Sequence, residues 1–318
     1  MKRSLLIATR SSELALRQAR LVQSALARGG VVAELKTYKT FGDKKLDEPL
    51  NAIGGKGLFT KELEVDLARG TVDCCVHSLK DLQTDMPEGL AIGAIVARED
   101  PRDVLIVNSV TGATSLGDLP RGSRVGTSSL RRRAQLLALR SDVEVVALRG
   151  NVPTRIRKVD EGQVHAAILA AAGVHRLGVS QRIACYLDAP EWLPAAGQGA
   201  IAVEIRDDDE RMRALLAPLH DSDASLQIRA ERAFLAALEG GCQVPIGALA
   251  LELDGRLTLY GLIADVNGRH VVRGEHPVDL RNPELSGIRL ANELRGRGAS
   301  EILEGLRRAE QVPAPQPE

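Results

Sequence analysis

The chemistry that this sequence could perform begins with one cysteine. Cys242 lies in residues 239–247 (EGGCQVPIG), where two glycines and a proline predict a tight, exposed loop. A structural cysteine normally belongs to a periodic apolar pattern, as Cys74 and Cys75 do within an apolar run. A thiol presented by a glycine-rich loop is a candidate for covalent chemistry, because it is accessible and can ionise. The local pattern still leaves a structural role for Cys242 open.

A carboxylate at the end of a strand is the second candidate. Asp81 follows the apolar run 72–76, and open α/β sheets bind ligands beyond the carboxyl ends of their strands. Asp81 could act as an acid, a base or a partner for a cation, or it could cap a loop. His77, just past the run, is as readily a structural histidine. Cys74, Cys75 and His77 lack a C-x-x-C motif and a second pair of ligands, so we expect no metal site and no zinc or redox protein.

Arginine is concentrated in the middle of the chain. Between Arg121 and Arg176 there are eleven basic and four acidic residues, although the whole protein has a formal net charge of zero. Several of these arginines follow Gly, Ser or Thr at predicted helix starts, as in GTSSLRR (126–132) and LRGNVPTR (148–155). Free N–H groups at helix N-termini also favour anions. The middle unit therefore has the pattern of a binding region for a polyanionic ligand.

Three other ligand classes are disfavoured by their motifs. Residues 53–59 (IGGKGLF) lack the first glycine and the Ser or Thr of a P-loop. Residues 197–202 (GQGAIA) precede a predicted strand, whereas a dinucleotide-binding turn opens a helix. Zero net charge and 2% aromatic residues argue against nucleic acid, despite the triplet Arg131–Arg133. The polar, glycine-rich stretch 42–57 is instead typical of a mobile lid.

Alternating strand-like and helical patterns predict an α/β architecture with largely parallel sheets. The first unit includes a helix at 13–28 with Ser12 as its N-cap, and a strand at 31–38. A second unit begins near Pro101. A third unit follows the acidic stretch 207–213. Its pattern predicts an α+β domain whose final helix spans about 284–297.

The length and composition place further limits on the protein. A chain of 318 residues suggests two or three domains. It has no run of 18 apolar residues, and the apolar run before Arg10 is too short for a signal peptide. Four cysteines do not form a disulfide framework. We therefore expect a cytoplasmic protein with neither a membrane nor a nucleic-acid partner.

Eight segments occur in the order found in the porphobilinogen deaminase (hydroxymethylbilane synthase) family, and they run from about Leu5 to Gly247. The segments are IATRSSELALRQ, GGKGLFTKELE, VHSLKD, EDPRD, GTSSLRR, LRGNVPTR, LPAAGQGA and EGGCQVPIG. Eight co-linear motifs make a chance match very improbable, so the chain closely resembles this family.

The resemblance implies a fold. We expect two α/β domains like those of type II periplasmic binding proteins, with mixed sheets and two chain crossings between them, followed by a small C-terminal α+β domain. Residues 1–99 and 200–217 would form domain 1, residues 100–199 domain 2, and residues 218–318 domain 3. The family also implies a monomeric enzyme of the cytoplasm.

The resemblance implies a reaction and its residues. The family joins four porphobilinogens head to tail into linear hydroxymethylbilane, releases four ammonias, and primes the chain with a covalent dipyrromethane cofactor. By resemblance, Cys242 carries this cofactor through a thioether, and Asp81 is the catalytic carboxylate. Six pyrroles would bring about twelve carboxylates into one cleft, and each needs a partner. The implied cofactor- and substrate-binding residues are Arg10, Ser12, Ser78, Lys80, Thr127, Ser128, Ser129, Arg131, Arg132, Arg149, Arg155, Arg176 and Gln198. The implied lid and hinge residues are Lys56 and Phe59.

Two positions depart from the family pattern. Leu6 stands where a basic residue often precedes the I-x-T-R motif, and Asn51–Ala52 stands where a lysine is often found near the lid. Two carboxylate contacts are therefore weaker, or are supplied by Lys44, Lys45 or Lys56.

An alternative function from another class is a non-catalytic bilobal protein that binds polycarboxylate ligands. The arginine-rich unit by itself would permit it. Asp81 and Cys242 in their family contexts argue against this alternative.

Overall fold

The computed structural model describes residues 4–44, 57–238 and 244–311, and this part of the chain forms three β-sheets. The strands are β1 (Leu5–Arg10), β2 (Ala33–Tyr38), β3 (Cys74–Ser78), β4 (Leu90–Arg98), β5 (Asp103–Val107), β6 (Arg124–Gly126), β7 (Glu144–Val146), β8 (Ala166–Ala170), β9 (Ile183–Leu187), β10 (Ala200–Arg206), β11 (Ile246–Leu253), β12 (Arg256–Ala264) and β13 (Val271–Pro277). The helices are α1 (Glu13–Arg28), α2 (Phe41–Lys44), α3 (Lys61–Ala68), α4 (Leu130–Leu139), α5 (Val152–Asp160), α6 (Ala171–Arg176), α7 (Glu210–Leu216), α8 (Ser222–Ala237), α9 (Pro283–Leu294) and α10 (Ser300–Gln311).

The first sheet has the strand order β2-β1-β3-β10-β4. Strand β1 is parallel to both of its neighbours, β2 and β3, whereas β10 is antiparallel to β3 and β4. Helix α1 begins where predicted, because the Ser12 hydroxyl accepts a hydrogen bond from the Ala15 N–H. It buries Ala19, Val22 and Leu26 against this sheet. The helix therefore fixes the direction in which the chain leaves the end of β1.

The second sheet repeats that arrangement with the order β7-β6-β8-β5-β9. Here β6 is parallel to β7 and β8, and β5 is antiparallel to β8 and β9. In each sheet four strands point the same way and one, β10 or β5, runs opposite to them, so the sheets are largely parallel and mixed, as the resemblance implies. The antiparallel pairs arise where β10 and β5 insert beside parallel strands as the chain crosses between the two sheets.

The two crossing segments contact each other closely. The Glu99 N–H donates to the Gly199 carbonyl at 3.1 Å, directly after β4 and directly before β10. Gly199 has φ +92°, and a Cβ on it would lie 2.2 Å from the Glu99 carbonyl oxygen. Only glycine fits this crossing, because any side chain would collide with the other strand.

The third sheet, β11-β12-β13, is antiparallel and packs against α8 and α9 around Phe234, Leu259 and Leu290. The small C-terminal α+β unit is thus confirmed. The helix predicted at about 284–297 is α9, which ends at Leu294, but it is not the final helix: the chain bends at Gly298 (φ +107°) and continues into α10. Within the described residues, no helix combines the length and the apolar character needed to span a bilayer.

A buried ion pair connects the third unit to the first sheet. Arg98, at the end of β4, pairs with Glu231 on α8 at 2.8 Å. Glu231 also accepts hydrogen bonds from the Gly197 N–H at 2.7 Å and the Ala250 N–H at 2.9 Å. The Glu231 carboxylate therefore connects β4 of the first sheet, β11 of the third sheet and the crossing segment that precedes β10.

Candidate active site

The first edge of the site is formed where β1 and β3 end. Because β1 and β3 are parallel neighbours, their carboxyl ends meet at the same edge of the sheet. Arg10 is the last residue of β1, and a short 3₁₀ turn after β3 (Leu79–Asp81) presents Asp81. Arg10 Nη1 lies 3.7 Å from Asp81 Oδ2. The Arg10 guanidinium also lies over the Phe59 ring, 4.3 Å from its centroid.

These groups line a cavity of about 100 Å³. The predicted site residues at its wall are Arg10, Ser12, Phe59, Ser78, Lys80 and Asp81. The Ser12 hydroxyl is engaged as the cap of α1, and Ser78 Oγ is held by the Gln18 amide at 2.8 Å. The structure thus brings six of the sequence-predicted residues together around one opening, with Asp81 about one-third exposed.

Lys80 connects this edge to the crossing segment. Its ammonium donates to Gln198 Oε1 at 3.2 Å. Burial lowers the pKa of Lys80 to about 8, and the charges of Arg132 and Arg131 contribute in the same direction. The charge of Asp81 opposes that decrease in pKa. An anion bound at this point would therefore favour the charged ammonium.

A buried aspartate that the sequence did not single out organises the second edge. Asp103, at the start of β5, accepts from Arg131 Nη1 and from Arg132 Nη2, both at 2.7 Å. It also accepts from Trp192 Nε1 at 2.9 Å and Gln198 Nε2 at 2.8 Å. Burial by itself would raise the pKa of Asp103, but the two guanidiniums hold it far below its usual range.

Arg131 and Arg132 therefore already have an internal counter-ion. Arg131 Nη1 also donates to the Leu193 carbonyl at 2.7 Å, and Arg132 Nη1 donates to the Ile168 carbonyl at 2.9 Å. Arg132 Nε is buried and has no hydrogen-bond partner within the described residues. The sequence signal for Asp103 was its position in the EDPRD segment, immediately before an apolar strand, but no role was assigned to it.

Two more helix starts face this region. Ser129 caps α4, Thr127 Oγ1 accepts from the Ser129 N–H at 3.2 Å, and Ser128 Oγ donates to the Leu148 carbonyl at 3.1 Å. Asn151 caps α5. The three predicted hydroxyl residues thus shape the loop after β6, and their hydroxyl groups have partners inside the protein.

Further cations of the second edge repel one another. Arg155 Nε donates to the Gly150 carbonyl at 2.7 Å. Burial lowers the pKa of Arg155 to about 10, with additional contributions from the charges of Arg132 and Arg149. The negative charge of Asp81, on the first edge, raises the pKa of Arg155. The charges of Asp81 and Arg155 thus influence each other, and a bound polyanion would relieve the repulsion among these arginines.

Arg176 lies where the two crossing segments meet. Its Nη2 donates to the Gly199 carbonyl at 2.6 Å, and its backbone carbonyl accepts from Arg17 Nη1 at 3.1 Å. Burial lowers the pKa of Arg176, and the charge of Glu99 opposes this. Lys56 and Cys242 lie outside the described residues, as do Lys45 and the Asn51–Ala52 departure. Leu6 packs beside the apolar cluster formed by Leu63, Leu67 and neighbouring side chains.

Comparison of the sequence with models of protein families identifies the family of this chain. Residues 5–214 match the family model "Porphobilinogen deaminase, dipyromethane cofactor binding domain", and residues 225–296 match the model of the family's C-terminal domain. The chain belongs to the porphobilinogen deaminase family. It is therefore an enzyme, a transferase of tetrapyrrole biosynthesis, and its larger matched part is the dipyrromethane cofactor-binding domain.

Curated relatives cover almost the whole enzyme. A porphobilinogen deaminase of Syntrophobacter fumaroxidans is 50% identical over 95% of this chain and 98% of its own. That of Carboxydothermus hydrogenoformans is 49% identical over 97% of this chain and 99% of its own. Among solved structures, the methionine-binding protein MetQ aligns with 70% of this chain and 92% of its own at 13% identity, with a TM-score of 0.45.

Proposed function

We propose that this enzyme joins four porphobilinogen molecules head to tail and releases linear hydroxymethylbilane, four ammonias being lost and one water consumed. The observation that carries the proposal is one cleft in which Asp81 faces buried cations, in a chain of this family. A polycarboxylate fits that cleft because Lys80 and Arg155 both have pKa values lowered by burial, and Arg132 Nε lacks a partner within the described residues. Non-catalytic binding of polycarboxylates would need the cations but not Asp81.

We infer that Asp81 acts at the reacting pyrrole. When the protonated aminomethyl group of porphobilinogen leaves as ammonia, the positive charge remains on the ring and methylene carbon. A carboxylate near the pyrrole N–H stabilises this developing cation. The new C–C bond forms as the free α-carbon of the preceding ring attacks the methylene, and that carbon then loses a proton to a base. Asp81 can serve both steps, because it is a charged acceptor at the cavity wall.

The other residues hold carboxylates. A dipyrromethane linked to Cys242 by a thioether supplies, when bound, the pyrrole carbon from which the product grows. Arg10, Arg149, Arg155 and Arg176 offer planar guanidiniums that bind carboxylates with two hydrogen bonds. Ser12, Ser78, Thr127, Ser128 and Ser129 line the same region and supply weaker contacts. Arg131, Arg132 and Gln198 contribute through the network around Asp103.

We also propose the division into domain 1 (1–99 and 200–217), domain 2 (100–199) and domain 3 (218–318), with the enzyme acting as a monomer in the cytoplasm. The two close crossing segments support one hinge region between the first two domains. Light scattering of the purified protein gives the test, since a mass near 34.1 kDa is expected for a monomer. A stable dimer would contradict this part of the proposal.

The deciding experiment is the intact mass of the denatured protein beside that of the variant Cys242→Ser. We expect the wild-type mass to exceed the sequence mass by two porphobilinogens less two ammonias, and the variant to show no excess. If the wild type shows none, incubation with porphobilinogen should add the pyrroles to an active apoenzyme. A wild-type chain that gains none, or a Cys242→Ser variant that is fully loaded and active, would contradict the proposal.

A further inference from the structure

A cluster of metal-binding side chains lies behind the strand that leads to Asp81. Glu204 on β10 is the cross-strand partner of Cys75 on β3, and His77 follows Cys75 by two residues. Alternate residues of a strand point to the same face, so the register directs all three side chains to one side of the sheet. The sulfur, one imidazole nitrogen and one carboxylate oxygen of these residues lie within 4.8 Å of one another.

The cluster is buried and its oxygen atoms are not all satisfied. His77 Nε2 lies 3.0 Å from Glu204 Oε2, while Glu204 Oε1 has no hydrogen-bond partner in the described part of the chain. Glu64, on the covering helix α3, also has a buried Oε1 without such a partner. Buried polar atoms without partners call for an ion or a water molecule.

The donor set is chemically selective. A thiolate, an imidazole and a carboxylate together are ligands typical of zinc, which binds them at about 2.0–2.3 Å in tetrahedral geometry. Such bonds place neighbouring ligand atoms roughly 3.5 Å apart. The three ligand atoms lie within 4.8 Å of one another, so small side-chain movements bring them to this spacing. A dication with one thiolate and one carboxylate is also neutral overall, which suits a buried site.

We propose that Cys75, His77 and Glu204 bind one divalent cation of the zinc type, with Glu64 as a further acidic group beside it. On binding, the Cys75 thiol gives its proton to solvent and loses the hydrogen bond that it donates to the Leu63 carbonyl at 3.5 Å. The proton between His77 Nε2 and Glu204 Oε2 also leaves that position, to solvent or to His77 Nδ1, because both atoms then bind the ion. The bound ion links β3, which leads to Asp81, to β10, which returns from the second sheet. None of the three ligands belongs to the proposed cofactor- and substrate-binding residues, although His77 also lies in the wall of the cavity that contains Asp81. The role of the ion in this proposal is structural.

The test is carried out on the full-length enzyme with its cofactor attached. After removal of metal with a chelator, Zn²⁺ is added, excess ion is removed, and the metal per chain is measured by mass spectrometry. We expect one equivalent, and replacement by Co²⁺ should give near-ultraviolet absorption from thiolate-to-cobalt charge transfer. X-ray absorption of the zinc form should show one sulfur at about 2.3 Å and otherwise nitrogen or oxygen ligands.

Cys74 provides a matched control. It precedes Cys75, is equally buried, and belongs to the apolar cluster on the opposite face of the sheet. The charge-transfer absorption should disappear in Cys75→Ala and remain in Cys74→Ala. It should also remain in Cys242→Ser, which separates this site from the thiol of the proposed function.

Three results would overturn the proposal. They are no uptake of Zn²⁺ or Co²⁺ by the wild-type enzyme at micromolar metal, absorption that survives Cys75→Ala, or a zinc shell without sulfur. The last measurement uses the wild-type protein, so it decides the question even where Cys75→Ala fails to fold. The first result, together with infrared absorption from protonated carboxyl groups, would mean that the cluster holds protons in place of a metal.

Discussion

The two five-stranded sheets share a local arrangement at the end of one strand, and they differ in the charged groups beside it. Strand β1 ends at Arg10 and is followed by Ser11-Ser12, of which Ser12 caps α1. Strand β6 is followed by Thr127-Ser128-Ser129, of which Ser129 caps α4. Both sheets have the same strand order pattern, with the capped helix following the strand second from the edge. The first edge carries a partly exposed carboxylate, Asp81, beside Arg10 and Lys80. The second carries a group of arginines around the buried Asp103.

The two sheets share their strand order and the position of the capped helix, and they differ in the charged side chains that follow their strands. The fold places Arg10 and Asp81 at the ends of β1 and β3, and it places the arginine-bearing helices α4 and α5 after β6 and β7. The accessibility of the acidic group then distinguishes the two edges. Asp81 on the first edge is partly exposed and can meet a developing cation, whereas Asp103 on the second is buried between Arg131 and Arg132. Substitutions on each edge test whether the two edges have these different roles.

The largest effect is expected from Asp81→Asn. The amide keeps the size of the side chain but removes the charge that stabilises the cation, so turnover should fall by about 10²- to 10⁴-fold. Initial rates of ammonia release measure this, and intact mass should show that the cofactor remains attached. Glu88→Gln, an exposed carboxylate in the same connection, is the control and should keep full activity. A rate within about twofold of wild type for Asp81→Asn would remove Asp81 from the reaction.

Asp103→Asn should give the largest loss of stability on the second edge. It leaves two buried guanidiniums without their counter-ion, which typically costs about 3–5 kcal/mol of unfolding free energy. Asp188, an exposed partner of Arg102, is the matched control, and Asp188→Asn should cost at most about 1 kcal/mol. Urea denaturation measures both. Equal costs for the two variants would mean that the second edge does not depend on its internal anion.

The pH dependence of stability should reveal the lowered pKa of Lys80, which is caused mainly by burial and to a smaller extent by the charges of Arg132 and Arg131. The pKa of Lys80 is lowered to about 8 in the folded protein, against 10.5 as its ordinary value. Between these pH values the unfolded chain binds a proton that the folded chain has lost, so the unfolding free energy should rise with pH in this window. Below about pH 8 this increase is absent, because both states are charged.

The measurement for Lys80 uses the Cys242→Ser background, which under the proposed function has no cofactor carboxylates. Urea denaturation from about pH 7 to pH 10.5 should show a steeper rise with Lys80 present than in the Lys80→Met variant, by up to one proton. Lys61→Met, at an exposed position, should leave the slope unchanged. Identical slopes with and without Lys80 would show that its ammonium is not perturbed.

The smallest effects are expected at the two serine caps. Ser12→Ala and Ser129→Ala each remove one hydrogen bond to a helix N-terminus, and each should lower the unfolding free energy by about 1 kcal/mol. Thermal denaturation of the pair tests whether the two loops are equivalent as scaffolds. A loss of several kcal/mol at one position only would show that its hydroxyl does more than cap the helix.

The sequence predicted the local elements well where one signal acted over a short distance. The helix at 13–28, its Ser12 cap and the strand before Asp81 follow from periodicity and capping within a few residues. The motifs were sufficient to identify the family, and hence the candidate site. The helix predicted at about 284–297 corresponds to α9, but the sequence analysis assigned no helix after it, and α10 was missed beyond the bend at Gly298.

Tertiary structure alone decided the charge pairings. Asp103 meets Arg131 across 28 residues of sequence, and Glu204 meets His77 across 127. No short-range pattern encodes such partners, because they depend on which strand inserts beside which and in what register. The sequence by itself therefore determined the helices, the strands and the chemical groups available. Only the insertion of β5 and β10, antiparallel between their neighbours, decided which buried charges would neutralise one another and which remain available to a ligand.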